Sequence, residues 1–280
     1  MNWRERGLAA AIAVPFVIGF SVADADAPPG REVCRFQDPA IVESSGLVAR
    51  DGLLATVNDS GDSGRVFVVD ARTCRTIGVT SWADEVDDVE AVAAYGDGEV
   101  LVGDIGDNQA VREPVRLLQV PIGRGDRTVE PTTYDITYPD GPQDAEALLV
   151  HPTERRVLVA SKGLMSGVLY AAPDELSTTG PNRLRPLADV PGMVTDGAFF
   201  PDGRHFVLRT YSRAVFYTYP GLEDVGDVVL PDQQQGEGIA VDERGRVLIS
   251  SEGQQQPVLQ VRLPRDLQRA LEPPGPSAPP

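Results

Sequence analysis

The chain has 280 residues, with 42 Asp plus Glu against 25 Lys plus Arg, a formal net charge of −17, 28 Gly, 24 Pro, 2 Cys and 2 His. Charge of that sign excludes an extended phosphate-tracking face, and so nucleic acid as a partner; cations and neutral ligands suit it. The length is enough to bury a substantial core, as one large β domain or two ordinary ones.

Residues 1–25 read as a secretory signal peptide. Met1 to Arg6 is a charged start, Gly7 to Phe20 an apolar run, and Ala23 with Ala25 an Ala-x-Ala cut site. The run is shorter than the roughly 20 residues that a bilayer span needs, so no stable span is expected after cleavage; an uncleaved signal anchor is the alternative. Export to an oxidising compartment makes one disulfide of Cys34 and Cys74.

Behind this leader the chain repeats. Five units share one grammar: an acidic or small polar start, an apolar strand, a tight turn, a second strand, a polar loop. The first runs from Glu43 through a turn at Asp51-Gly52 to Asn58-Asp-Ser-Gly-Asp62, and the second from Asp88 through Asp97-Gly98 to Gly103-Asp-Ile-Gly-Asp-Asn108. The third runs from Asp144 through Glu154-Arg155 to Lys162-Gly163, the fourth from Thr195 through Asp202-Gly203 to Tyr211, and the fifth from Gln235 through Arg244-Gly245 to Glu252-Gly253. The turns read as two-residue hairpin loops, with Gly supplying positive φ.

Multi-stranded units recurring about every 40–50 residues are propeller blades. The expected fold is all-β: a five-bladed β-propeller over residues 32–263, or a six-bladed one if the long second unit merges two. A spare strand at Glu32–Phe36 completes the last blade and closes the ring, with the Cys34–Cys74 bond locking the join. A short helix is expected over 264–271 and a disordered Pro-rich tail over 272–280.

The first two strands of a blade are antiparallel, so the start of one and the end of the other open on the same face. Strand-one starts then bring Glu43, Asp88, Glu90, Asp144, Glu146, Asp196 and Glu237 to one channel mouth, and strand-two ends add Asp59, Asp104, Asp107 and Glu252 with the cations Lys162 and Arg209. Oxygen-only ligands favour a hard cation, calcium first and magnesium second. Singly, these carboxylates could instead cap turns or bond neighbouring blades, and Lys162 and Arg209 could be their counter-ions or contacts for an anion beside the metal. Tyr211 reads as a core aromatic or a donor at the mouth. His151 and His205 fall beside the turns at the opposite face, which removes a His-based triad and a His-ligated zinc; Gly61-Asp-Ser-Gly64 has no base to activate its Ser.

The phrases Glu43-Ser-Ser-Gly-Leu, Asn58-Asp-Ser-Gly-Asp, Gly103-Asp-Ile-Gly-Asp-Asn, Tyr138-Pro-Asp-Gly-Pro-Gln-Asp-Ala-Glu-Ala-Leu and Leu208-Arg-Thr-Tyr resemble an uncharacterised family of secreted bacterial β-propellers. The Asp-x-Glu-Ala and Gln-Gly-Glu-Gly blade starts are similar, over short stretches, to calcium-dependent β-propeller phytases and their esterase-like relatives, which have six blades. That second resemblance implies calcium on carboxylates such as Glu43, Glu90, Glu146 and Glu237, with Lys162 and Arg209 gripping phosphate.

The expected function is non-catalytic: a secreted, extracellular bacterial propeller that binds a small molecule, glycan or protein at a calcium-holding acidic mouth. The alternative is a metal-dependent hydrolase, of phosphoesters or, as a variant, of glycosides, with Glu146, Glu90, Lys162 and Arg209 as candidate catalytic residues.

Overall fold

Runs such as Val100-Leu-Val, Val157-Leu-Val-Ala and Val247-Leu-Ile are short, apolar and β-branched, and Gly, Asp and Pro punctuate them every few residues; such sequence builds strands and leaves little for helices. The computed structural model describes residues 30–59 and 61–272. The leader at 1–25 and the tail beyond Glu272 lie outside the described residues. Those described form five antiparallel blades in a ring and one short helix, α1 (Arg265–Ala270). None of their helices is long and apolar enough to cross a membrane.

The strands are β1 (Arg31–Arg35), then β2 (Ser44–Arg50), β3 (Leu53–Asn58), β4 (Arg65–Asp70) and β5 (Thr76–Ser81) of blade one. Blade two holds β6 (Val89–Ala94), β7 (Glu99–Asp104), β8 (Val115–Pro121) and, after β9 (Arg127–Thr128), β10 (Thr132–Thr137). Blade three holds β11 (Ala145–Val150), β12 (Val157–Ser161), β13 (Ser166–Ala171) and, after β14 (Asn182–Arg183), β15 (Arg185–Pro191). Blade four is β16 (Val194–Phe199), β17 (His205–Thr210), β18 (Arg213–Thr218) and β19 (Asp224–Val229). Blade five is β20 (Gly236–Val241), β21 (Val247–Ser251) and β22 (Pro257–Gln260), and its outer strand is the N-terminal β1, paired antiparallel with β22.

The long second unit is not two blades. Its extra length supplies β9, which pairs parallel with β5 on the outer edge of blade one, just as β14 of the third unit pairs parallel with β10 of blade two. The turns also depart from expectation. Only Asp51-Gly52 is a two-residue loop; the others are longer and return through a positive-φ residue such as Gly98, Arg155, Gly203 or Gly245. The reason is an acceptor at the end of the preceding strand that caps the loop's amides: His151 Nδ1 accepts Glu154 N–H at 3.0 Å, and Asp242 Oδ1 accepts Arg244 and Arg246 N–H at 3.0 and 2.9 Å.

The hydrophobic core is divided into five layers, one between each pair of neighbouring blades. Val57, Val66 and Trp82 meet Val92, Val100 and Leu118 between blades one and two; Phe36 and Leu248 meet Leu54 and Phe67 where blade five meets blade one. A strand in this ring buries both faces, which is why its sequence is a continuous apolar run and does not alternate. Cys34 on β1 and Cys74 in the β4–β5 turn are disulfide-bonded with Cα atoms 5.6 Å apart, joining the first and last blades. Removing that bond by reduction or in a C34S/C74S variant is expected to lower stability by about 2–4 kcal/mol in chemical unfolding. An unchanged unfolding midpoint would show that the β1–β22 ladder alone holds the ring shut.

Candidate metal centre at the axial mouth

Where both faces of an inner strand are packed against neighbours, alternation offers a charged side chain no place to go. Each inner strand breaks its register by a β-bulge near its start: between Ser45 and Leu47, Val89 and Ala91, Ala145 and Ala147, Val194 and Asp196, Gly236 and Ile239. A bulge adds a residue outside the alternation and re-aims it. In blades two, three and five the extra residue is, or includes, Glu90, Glu146 and Glu237. In blades one and four the extra residue is Gly46 and Thr195, and the Ser45 and Thr195 hydroxyls donate to the next blade's Glu90 and Glu237 carbonyls at 2.7 and 2.9 Å.

Above this layer lie the strand-two ends. Asp59, Gly106, Lys162 and Glu252 each donate a backbone N–H to the start of their own blade's first strand, at Glu43, Asp88, Asp144 and Gln235. These four positions, in blades one, two, three and five, are equivalent around the ring, and Tyr211 follows β17 in the fourth blade.

Among the described residues, Asp59, Asp88 and Glu90 bring ligand oxygens within 4.8 Å of one another. Gly106 makes the room: a Cβ there would stand 2.5 Å from Asp88 Oδ2 and 2.8 Å from Glu90 Cγ. Asp104, wholly buried, accepts Asp88 N–H at 2.9 Å and is clamped by Arg112 and Arg116 at 2.6 and 2.7 Å; Arg112 also donates to Gly106 O. The clamp thus fixes both walls of the cradle, and its donors hold the Asp104 carboxyl below the usual range despite burial.

Elsewhere at the mouth, Lys162 pairs with buried Glu146 and lies 5.5 Å over the Tyr211 ring. Gln235 donates to Glu252 at 2.6 Å and, at 3.4 Å, to Glu237 Oε1; Glu237 Oε2 is buried with no hydrogen-bond partner among the described residues. Burial and mutual repulsion push seven of these carboxylates up. Asp88 reaches about 6 through burial, Asp59 and Asp144, and Glu252 about 7 through burial, Asp59 and Glu43. Burial raises Glu146 to about 8 against the pull of Lys162, and Glu90 and Glu237 rise through burial and the Glu146 charge. Burial, Asp59 and Asp62 raise Glu43, and burial raises Asp144. An oxygen-only donor set and a cradle that a methyl group would fill both fit a hard cation.

Not every carboxylate in the expected ring belongs to this cluster. Asp104 is consumed by its arginines. Asp107 accepts Arg112 N–H at 2.6 Å and donates its own N–H to Asp144 Oδ1 at 2.8 Å. Asp196, 0% exposed, accepts Gly197, Ile239 and Leu47 N–H at 2.7, 2.7 and 3.2 Å, tying blades four, five and one at the axis. Arg209 is likewise 0% exposed and donates to Gly238 O, Ser250 O and Gln233 Oε1, bracing blade five from within rather than offering itself to an anion. Sequence reasoning missed Gly106, Arg112 and Arg116. Gly106 stood in the Gly103-Asp-Ile-Gly-Asp-Asn phrase; nothing local marked the arginines.

No protein-family model matches the chain, and comparison with curated proteins finds no relative. Among solved structures it is similar to XC5397, a gluconolactonase of Xanthomonas campestris, with a TM-score of 0.50 and 11% identity over 85% of this chain and 96% of that chain. A chain of a mitotic checkpoint complex aligns at a TM-score of 0.41 and 14% identity, over 79% of this chain and 64% of that one. The likeness is one of fold.

Because Asp88, Glu252 and Glu146 bind protons more tightly folded than unfolded, the stability they contribute is complete below their ordinary values of 3.8 and 4.5 and lost as pH rises through about 6, 7 and 8. In chelator, the Tm is therefore expected to fall by roughly 5–10 °C between pH 5 and 8.5, and calcium to restore most at the alkaline end. A Tm flat or rising over that range without metal would contradict the electrostatics described.

Proposed function

We propose that this is a secreted, extracellular bacterial propeller that holds a divalent cation, calcium before magnesium, on Asp59, Asp88 and Glu90, and binds an extracellular ligand through that cation without turning it over. The carrying observation is the cradle itself: three carboxylates with oxygens within 4.8 Å, standing over a glycine whose missing Cβ gives them room. The Cys34–Cys74 bond supports an oxidising, extracellular setting. Glu43, Asp144, Glu146, Glu237 and Glu252 supply further acceptors at the same mouth, suited to a neutral, hydroxyl-rich ligand or to a partner's amides.

A second reading, hydrolysis of an ester or phosphoester, is favoured by the fold likeness to a gluconolactonase. A bound cation would polarise the ester oxygen and lower the pKa of a water. In that reading Glu252, half-buried with its carboxyl pushed up to about 7, accepts the proton, and Lys162 holds Glu146 in place. Arg209 takes no part, because its guanidinium is buried between strands.

Calcium at about 100 times its Kd is expected to raise the Tm by several degrees, an effect lost in D59N and E90Q and weakened at least tenfold in affinity by G106A. No calcium shift in the native chain would remove the cation reading. Panels of phosphoesters, lactones and glycosides then separate the two functions. No turnover is expected; turnover abolished by chelator and by E146Q would establish the hydrolase instead.

A further inference from the structure

We propose that the Lys162 ammonium is a tethered cation: it fills a second cation position at the mouth and restricts the protein to one divalent ion. This rests on the cation reading above and adds its stoichiometry.

Lys162 occupies, two blades round, the position that Asp59 holds in blade one; both are fixed by the same backbone bond, Asp59 N–H to Glu43 O at 3.1 Å and Lys162 N–H to Asp144 O at 2.8 Å. Around Lys162 stand the carboxylates that an ion on Asp59, Asp88 and Glu90 leaves uncompensated. The ammonium donates directly to Glu146, and its charge also attracts Glu237, Asp144 and Glu252. Glu237 is 4% exposed and its Oε2 has no hydrogen-bond partner among the described residues, so that oxygen is compensated through space. Uncompensated burial of this kind is costly unless a positive charge sits among the carboxylates.

The residue type fits the task. Lys162 is the one lysine in the chain, and every other Lys-or-Arg position is Arg. A guanidinium is a planar fork that reads one carboxylate or a set of carbonyls, as Arg209 does; an ammonium is a compact point charge that several oxygens can surround. The Tyr211 ring, 5.5 Å from Nζ, closes a further side, and the Lys162 side chain is only 17% exposed. The mouth is thus a two-cation centre with one cation built into the polypeptide.

The test is calcium titration of the full chain, stripped with chelator and followed by calorimetry. The native protein is expected to bind one equivalent. K162M keeps the hydrocarbon stem and removes the charge; it is expected to bind two equivalents, to melt lower than the native chain in chelator, and to show about twice the native Tm gain on adding calcium. K162R, which keeps the charge, and K162M/E146Q, which removes the vacated ligand, are both expected to return to one equivalent. Two equivalents in the native chain, or one in folded K162M, would overturn the inference. If K162M folds only with calcium present, the ion has replaced the ammonium; if it fails to fold even at saturating calcium, the replacement is refuted. No binding by the native chain would defeat the preceding reading and this one with it, a result distinct from an unchanged count in K162M.

Discussion

The site depends on a geometric constraint of the ring. A strand whose two faces are both buried in apolar layers has no alternation position left for a charge, since either face would place it in a hydrophobic core. The β-bulge resolves this by adding one residue that belongs to neither face. Glu90, Glu146 and Glu237 all sit at such bulges, while Val89, Ala91, Ala147 and Ile239 around them keep to the inter-blade layers. The bulge therefore supplies the acidic mouth and preserves the core at the same time. Glycine completes the fit where inner strands approach: a Cβ at Gly46, whose φ is +69°, would lie 2.6 Å from Val92 N in the neighbouring blade.

Once gathered, the carboxylates divide by what neutralises them. Asp104 and Asp196 are absorbed into the fold, the first by two arginines, the second by three backbone amides from three blades. Glu146 has the one lysine. Asp59, Asp88 and Glu90 crowd together over Gly106, and burial with the neighbouring carboxylates pushes Asp88 and Glu90 up, the electrostatic signature of a place suited to a further positive charge. Fold-serving carboxylates also serve the cluster: Asp104 holds the Asp88 amide, so the arginine clamp and the cradle are one mechanical unit. The structural likeness to a gluconolactonase fits this frame without specifying its chemistry, because propellers of one shape carry unrelated sites.

Much of the architecture was legible in the chain. Turn residues at regular spacing, apolar runs too short for helices and a spare N-terminal strand are local signals, and they sufficed for five blades closed by β1 and for the Cys34–Cys74 join. The long second unit left six blades open as the alternative because β9 crosses to the edge of blade one, a pairing set by shape and not by any motif. Loop lengths misled for a related reason: a side-chain acceptor at His151 or Asp242 rewrites a turn that its Gly or Arg alone would leave short.

The site was legible as a list of residue types on one face, and no further. Strand direction is a local property, so the sequence by itself determined that Glu43, Asp59, Asp88, Glu90, Asp144, Glu146, Glu237 and Glu252 open on a common end. Which of them meet, which are spent on arginines or amides, and that Arg209 turns inward were decided only by tertiary structure. Those outcomes depend on partners from other blades, such as Leu47 N–H on Asp196 and Gly238 O on Arg209, and on a one-residue bulge that turns a side chain from a core to an axis. Pairing across a ring is a long-range property, and no short stretch of the chain encodes it.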